Sequence, residues 1–171
     1  TSRGWVQIAI SGEDETAALH YLANEIGLCP TDLKLVNKFS TIKGRITALN
    51  KSKDAIYIDI GVSSPKIVDA TIPLQHLQAQ LVDGRKAALK KLTELFGFCE
   101  NLPLHVKICN IDREKSYIEA MLSAKQLKQY EYWMKSLLDR LTTLGASCEE
   151  VRFALKMAGC NRDIVGIEPL G

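Results

Sequence analysis

The chain has 171 residues, 46% of them hydrophobic and 25% charged, with a net charge of +2. That length suffices for one domain, or one and a half, with a real core, and the composition excludes a disordered or fibrous chain. The net charge argues neither for nor against a polyanionic partner, and the longest apolar runs are far too short to cross a bilayer.

Residues 4–11, GWVQIAIS, read as a strand, and EDETAALHYLANEIGL follows as a helix with Asp14 as its N-cap and Gly27 as its stop. This βα unit, residues 1–40, carries three basic and five acidic side chains, and its apolar face of Ala18, Leu22 and Ile26 must pack on something else. From Thr41 the hydrophobic period becomes two. Strand one covers 41–49 with Ile42, Gly44, Ile46 and Ala48 inward, and strand two covers 54–61 with Ile56, Ile58 and Ile60 inward. Strand three covers 66–73 and closes on Pro73. DGRKAALKKLTELFG then reads as a helix over 83–97, capped by Asp83 and stopped at Gly97. Strand four, 102–109, turns Leu104, Val106 and Ile108 inward, and strand five, 116–122, turns Ile118, Ala120 and Leu122 inward.

Such clean alternation predicts a half-solvated antiparallel sheet. Three strands, a helix and two further strands is the order of an OB-type barrel. The last third, 124–171, reads as a helical hairpin. Its first helix starts from a Ser123 cap and reaches about Leu144. Its second opens with a capping box, Ser147 with Glu150, and ends at Gly159. The closing run DIVGIEPLG reads as a strand with nothing to pair it, so the native chain is expected to continue, and Thr1 need not be its native start.

The inward sets fix the outward ones. Lys43, Arg45 and Thr47 on strand one and Tyr57 and Asp59 on strand two face outward, while strand three is harder to assign. The loop between strands one and two, Asn50-Lys51-Ser52-Lys53, and the loop 111–115 with Arg113 flank that face. In OB barrels oligonucleotides bind this face between these loops. An aromatic ring stacks on a base and nearby cations meet phosphates. The competing reading is a solvated face with an incidental tyrosine. Charge supports the middle segment as the place for a polyanion: 41–123 holds twelve basic and nine acidic side chains.

Catalysis finds no constellation. His20, His76 and His105 have no carboxylate or cysteine at a meaningful spacing, and no phosphate loop, HExxH or nucleophile elbow occurs. The five cysteines are odd in number and lack CxxC spacing, so reduced thiols are expected, with no disulfide framework, no zinc and no cofactor. The C-terminal helices around a glycine-containing turn raise a helix-turn-helix through 148–158, where Arg152 and Lys156 are the basic side chains. The alternative is a hairpin packing its Leu and Val face on the barrel.

TIKGRITALNKSKDAIYIDIGV, ATIPLQHL and LPLHVKICNIDREKSYIEAMLS together resemble the S1-type RNA-binding domain of ribosomal proteins, an OB-fold variant, over about half the chain. By that resemblance Tyr57 stands where the family places a base-stacking phenylalanine. Where the family often has a second aromatic and a histidine, this chain has Thr71 and Pro73, with His76 displaced into a helical context. The whole chain, including the tail GCNRDIVGIEPLG, is similar to an archaeal family of uncharacterised proteins, domain of unknown function 2110. That resemblance implies an archaeal cytoplasm and a longer C-terminus, and no known activity.

The expected fold is therefore α+β: a five-stranded antiparallel OB-type, S1-like barrel over 41–123, with an N-terminal βα unit (1–40) and a C-terminal helical hairpin (124–171). The leading functional expectation is non-catalytic binding of RNA, ribosomal or other, in the cytoplasm and away from membranes. Tyr57 stacks, and Lys43, Arg45, Lys51, Lys53 and Arg113 meet phosphates. The alternatives are a protein-interaction module of an RNA or transcription complex, and DNA binding through 148–158.

Overall fold

The computed structural model describes residues 5–49, 51–136, 138–160 and 165–168. The period-two segments form five strands: β1 (Thr41–Ala48), β2 (Ala55–Asp59), β3 (Ala70–Pro73), β4 (Pro103–Asp112) and β5 (Tyr117–Leu122). They close into a barrel in the order β1-β2-β3-β5-β4, the OB-type arrangement expected from the strand–helix order. Four pairings are antiparallel, but β3 and β5 run parallel, Ala70 opposite Ile118 and Thr71 opposite Glu119. The expectation of a wholly antiparallel barrel is corrected here. The crossover after β3 sets β4 antiparallel to β1, so β5, returning from β4, must run the same way as β3.

Inward alternation supplies the core. Ile46, Ile56, Ile58, Ile60, Ile72, Val106, Ile108, Ile118 and Ala120 are fully buried. Two bulges adjust the barrel's curvature. One leaves Thr47 between the pairs Ile46–Ile58 and Ala48–Tyr57, with its hydroxyl donating to the Tyr57 carbonyl at 3.2 Å. The other leaves Cys109 between Ile108–Ala120 and Asn110–Glu119.

Among the described residues five α-helices accompany the strands: α1 (Glu15–Glu25), α2 (Leu74–Leu81), α3 (Leu89–Phe96), α4 (Ala124–Ser136) and α5 (Cys148–Met157). The helix expected over 83–97 is shorter, Leu89–Phe96, and a further helix, α2, precedes it. Asp83 and Gly84 both take positive φ, 52° and 76°, so this pair makes a turn rather than a cap, and α3 starts only at Leu89. Gly97 ends α3 in the left-handed region, as its lack of a Cβ allows. The helix inserted after β3 thus becomes α2, seated by fully buried Leu77, and α3, seated by Leu89 and Leu92. Phe96, Phe98 and Trp133 surround Tyr130 at centroid distances of 5.6, 6.0 and 5.5 Å, all edge-on, and join α3 to α4.

The flanks differ more. Residues 5–11 form no strand; Val6 and Ile8 are exposed, with no sheet edge alongside to pair them. Asp14 makes no side-chain cap bond, and no residue of α1 is fully buried. The long helix expected to reach Leu144 ends at Ser136. The capping box of α5 is present, Ser147 Oγ accepting from the Glu150 N–H, but no residue of α5 is fully buried either. Helix α4 packs on the barrel through buried Gln126 and Tyr130, whereas α5 has Cys148, Val151 and Leu155 half-buried on one face. Gly4, Asn50 and Arg162, and most of the tail read as an unpaired strand, lie outside the described residues; 165–168 have no regular structure.

Candidate nucleic-acid interface

The register places the outward residues in rows across β1, β2, β3 and β5. Tyr57 stands opposite Thr71, and Thr71 opposite Glu119. Tyr57 is half-buried, and the Lys51 ammonium from the β1–β2 loop lies 5.5 Å from its ring centroid, a cation–π distance. Lys53, in the same loop, is exposed. Arg113 is exposed in the turn that joins β4 to β5. Tyr117, 39% exposed at the start of β5, belongs to this face too. Burial raises its phenol pKa above the ordinary value, and Glu119 and then Tyr57 add to the rise. Sequence reasoning placed Tyr117 in strand five without singling it out. The signal was the alternation itself, since Ile118, Ala120 and Leu122 inward leave Tyr117 and Glu119 outward.

His76 returns to the same neighbourhood from α2. Its Nδ1 lies 3.2 Å from the Ala120 carbonyl, and its Nε2 lies 3.5 Å from a Glu119 carboxylate oxygen. A carbonyl accepts only, so Nδ1 carries the proton in that contact.

Asp59 departs from the expected solvated face. It points outward but is only 2% exposed. Trp5, from the N-terminal segment, donates its indole N–H to Asp59 Oδ2 at 3.0 Å, and the Gly61 N–H donates to Oδ1 at 3.0 Å. The Arg45 guanidinium, 31% exposed, lies 3.5 Å from Oδ2 and 5.9 Å from the Trp5 ring. Arg45 is thus held between a carboxylate and an indole, and much of its charge is answered within the protein.

Lys43 also stands apart. It lies opposite His105, toward the β4 side of the barrel and away from Tyr57. The six predicted residues therefore divide. Lys51 lies against Tyr57 with Lys53 in the same loop, Arg113 stands in the turn next to Tyr117, Arg45 is paired, and Lys43 belongs with β4. Among the described residues no group of three or more His, Cys, Asp or Glu is placed to hold a metal, and no helix is long and apolar enough to cross a membrane. The five cysteines are free thiols.

No curated protein matches the chain. Among solved structures it is similar to the uncharacterised protein MJ1198 of Methanocaldococcus jannaschii, at 13% identity over 52% of this chain and 95% of that one, with a TM-score of 0.36. It is also similar to a chain of the a/eIF2alpha–aDim2p–rRNA complex of Pyrococcus horikoshii OT3, at 11% identity over 72% and 64% and a TM-score of 0.38. GSP13 of Bacillus subtilis is similar at 13% identity over 70% and 71%, with a TM-score of 0.41. At such identities the barrel assignment rests on the strand order itself. The DUF2110 central domain matches residues 36–134, from buried Val36 at the entry to β1 to Trp133 at the end of the aromatic cluster. With its barrel and the helix that closes it covered by that match, the chain belongs to the DUF2110 family.

Proposed function

We propose that the protein binds RNA without catalysing a reaction, through the outer face of β2, β3 and β5 and its two flanking loops. The observation that carries this reading is Tyr57 on the face of an OB-type barrel with the Lys51 ammonium beside its ring. A ring and a mobile cation together suit a stacked base and its phosphate. Tyr117 supplies a second platform across the same face, and Lys53 and Arg113 supply cations at the two loops. Glu119 accepts hydrogen bonds only, so it favours amino-bearing base edges and opposes phosphates. The face therefore holds bases at its centre and backbone at its rim.

The test is RNA binding across a salt series. Tyr57→Ala should weaken binding by ~1–3 kcal/mol at every salt concentration, because one stacking platform is lost. Lys51→Ala with Lys53→Ala should reduce the salt slope by about 1.4 for single strands, since two phosphate contacts disappear. Wild-type protein that binds no RNA, or three proteins that bind equally, would overturn the proposal.

One observation favours a second reading, a protein-interaction module. Helices α1 and α5 have no fully buried residue, and between them they expose Leu19, Tyr21, Phe153 and Met157. A partner held on such apolar faces should stay bound as salt rises, whereas RNA should be released. A helix-turn-helix is not supported by the geometry: that motif needs a three- or four-residue turn, and α4 ends at Ser136 while α5 begins at Cys148.

A further inference from the structure

Phe39 stands just before β1, on the side of the barrel formed by β1 and β4. Its backbone N–H donates to the Ile108 carbonyl at 2.8 Å, and the Ile108 N–H donates to the Ser40 carbonyl at 2.9 Å, so the turn is bonded to β4. Within it Phe39 takes φ 70°, a left-handed conformation that costs a residue with a Cβ and is an outlier for a bulky one. Its side chain gains little burial in return, being 65% exposed. An asparagine or glycine would fit the turn at lower cost. An aromatic ring held out from a strained position asks for something to cover it.

Its surroundings say what. The Lys38 ammonium lies 5.3 Å from the Phe39 ring centroid and the Lys107 ammonium 5.8 Å. Along the same face Lys107 pairs with Thr41, and His105 with Lys43. Helix α4 is pinned there by Gln126, whose side-chain oxygen accepts from the His105 N–H at 3.1 Å. That docking brings the Lys125 ammonium to 3.5 Å from His105 Nε2. The three stretches that build this surface, 36–44, 103–110 and 123–130, contain five lysines and no Asp or Glu. The Tyr57 face, by contrast, carries Asp59, and Asp69 ahead of β3, whose carboxylate lies 3.5 Å from the Thr47 hydroxyl.

We propose that the β1–β4 face around Phe39 is a second RNA-contact surface, where a base stacks on Phe39 and phosphates lie along Lys38, Lys43, Lys107 and Lys125. The lysines outnumber the carboxylates on this face, where Glu119 of β5, opposite Asn110, is a neighbouring carboxylate; that excess suits a polyanion, and the ring between ammoniums suits a single-stranded one rather than a duplex. The proposal rests on RNA as the ligand but on none of the residues of the Tyr57 face. A strand long enough to reach both faces would be held at two points on the barrel.

The experiment uses the full chain and a uridine-rich single-stranded RNA carrying 4-thiouridine. Binding is measured by fluorescence anisotropy across a salt series, and photo-crosslinked peptides are located by mass spectrometry. Phe39→Ala should weaken binding about fivefold or more, by loss of one stacked base, and Phe39→Tyr should restore it, which separates stacking from any change in the turn. Lys38→Ala with Lys107→Ala should lower the salt slope by about 1.4. Crosslinks should fall on residues 39–43 as well as on the Tyr57 strand. Wild type that binds and crosslinks only at Tyr57, with both variants unchanged, would overturn this surface and leave the Tyr57 proposal standing. Wild-type crosslinks at 39–43 with none on the Tyr57 strand, and binding unchanged by Tyr57→Ala, would support this surface and overturn the other. Wild type that binds no RNA would overturn both, and capture of an acidic protein in place of RNA would overturn this one.

Discussion

His105 shows how a single side chain reports its surroundings. Partial burial is the largest cause that lowers its pKa below the ordinary histidine value, and the ammoniums of Lys125 and Lys43 lower it further, against the bond with Gln126. Folded protein therefore takes up this proton at a lower pH than unfolded chain does. In the interval between the two values the unfolded state binds more protons, so this contribution to stability is intact above the unfolded pKa and is lost as pH falls through the folded one. An NMR titration should find the His105 pKa below the ordinary histidine value, and Lys125→Ala should move it part of the way back. A His105 pKa unchanged by Lys125→Ala would mean the ammonium is too well solvated to matter. Sequence reasoning placed Lys43 on strand one and His105 on strand four but not their pairing, because alternation fixes which way a side chain points and not which strands become neighbours or in what register. Asp59 was misjudged for a related reason. Its outward direction followed from the pleat, but its burial depends on Trp5, 54 residues away in sequence.

At the scale of elements, β1 and β2 approach so closely that only glycine fits between them. A Cβ on Gly44 would stand 2.6 Å from Ile58 Cγ2 and 2.7 Å from the Asp59 carbonyl oxygen. The oxygen belongs to the backbone of β2 and cannot yield without disturbing the strand pairing. Gly44→Ala should therefore destabilise the barrel by ~1–3 kcal/mol, the usual cost of overpacking, read as a lower denaturant midpoint with little change in slope. Helix α5 presents the opposite case. Ser147→Ala removes half of its capping box and should weaken the helix by ~1 kcal/mol. Because no residue of α5 is fully buried, the loss should speed amide exchange over 148–157 with little effect on the global melting temperature. The barrel strands and the α5 cap were legible in sequence because both signals are local: alternation, and a serine three residues before a glutamate. The missing strand at 5–11 and the shortened α4 were not, because a strand needs an edge to pair with and a helix end depends on what its last turn packs against.

For the whole molecule, the distribution of burial sets the folding unit. Every member of the buried core cluster lies between Leu33 and Tyr130. Ahead of it, the Thr31 carbonyl accepts from the N–H groups of Ser63 and Ser64 at 3.0 Å, which ties the entry segment to the loop that follows β2. Behind it, α4 completes the aromatic cluster and ends at Ser136. Both candidate RNA surfaces lie inside these limits, from Lys38 to Lys125. A fragment of residues 31–136 should therefore fold cooperatively by itself. Losing Trp5 removes the indole bond to Asp59, whose carboxylate keeps Arg45 and the Gly61 N–H. One hydrogen bond is worth ~1 kcal/mol, which for a domain of this size lowers the melting temperature by about 4–8 °C. Calorimetry should show one transition near that shift, and the fragment should bind RNA with the salt slope of the full chain, because every lysine invoked is retained. A fragment without a cooperative transition would show that α1 or α5 supports the barrel through contacts their exposure does not suggest. A folded fragment that had lost RNA binding would move the ligand to the flanking helices and make the interaction-module reading the stronger one.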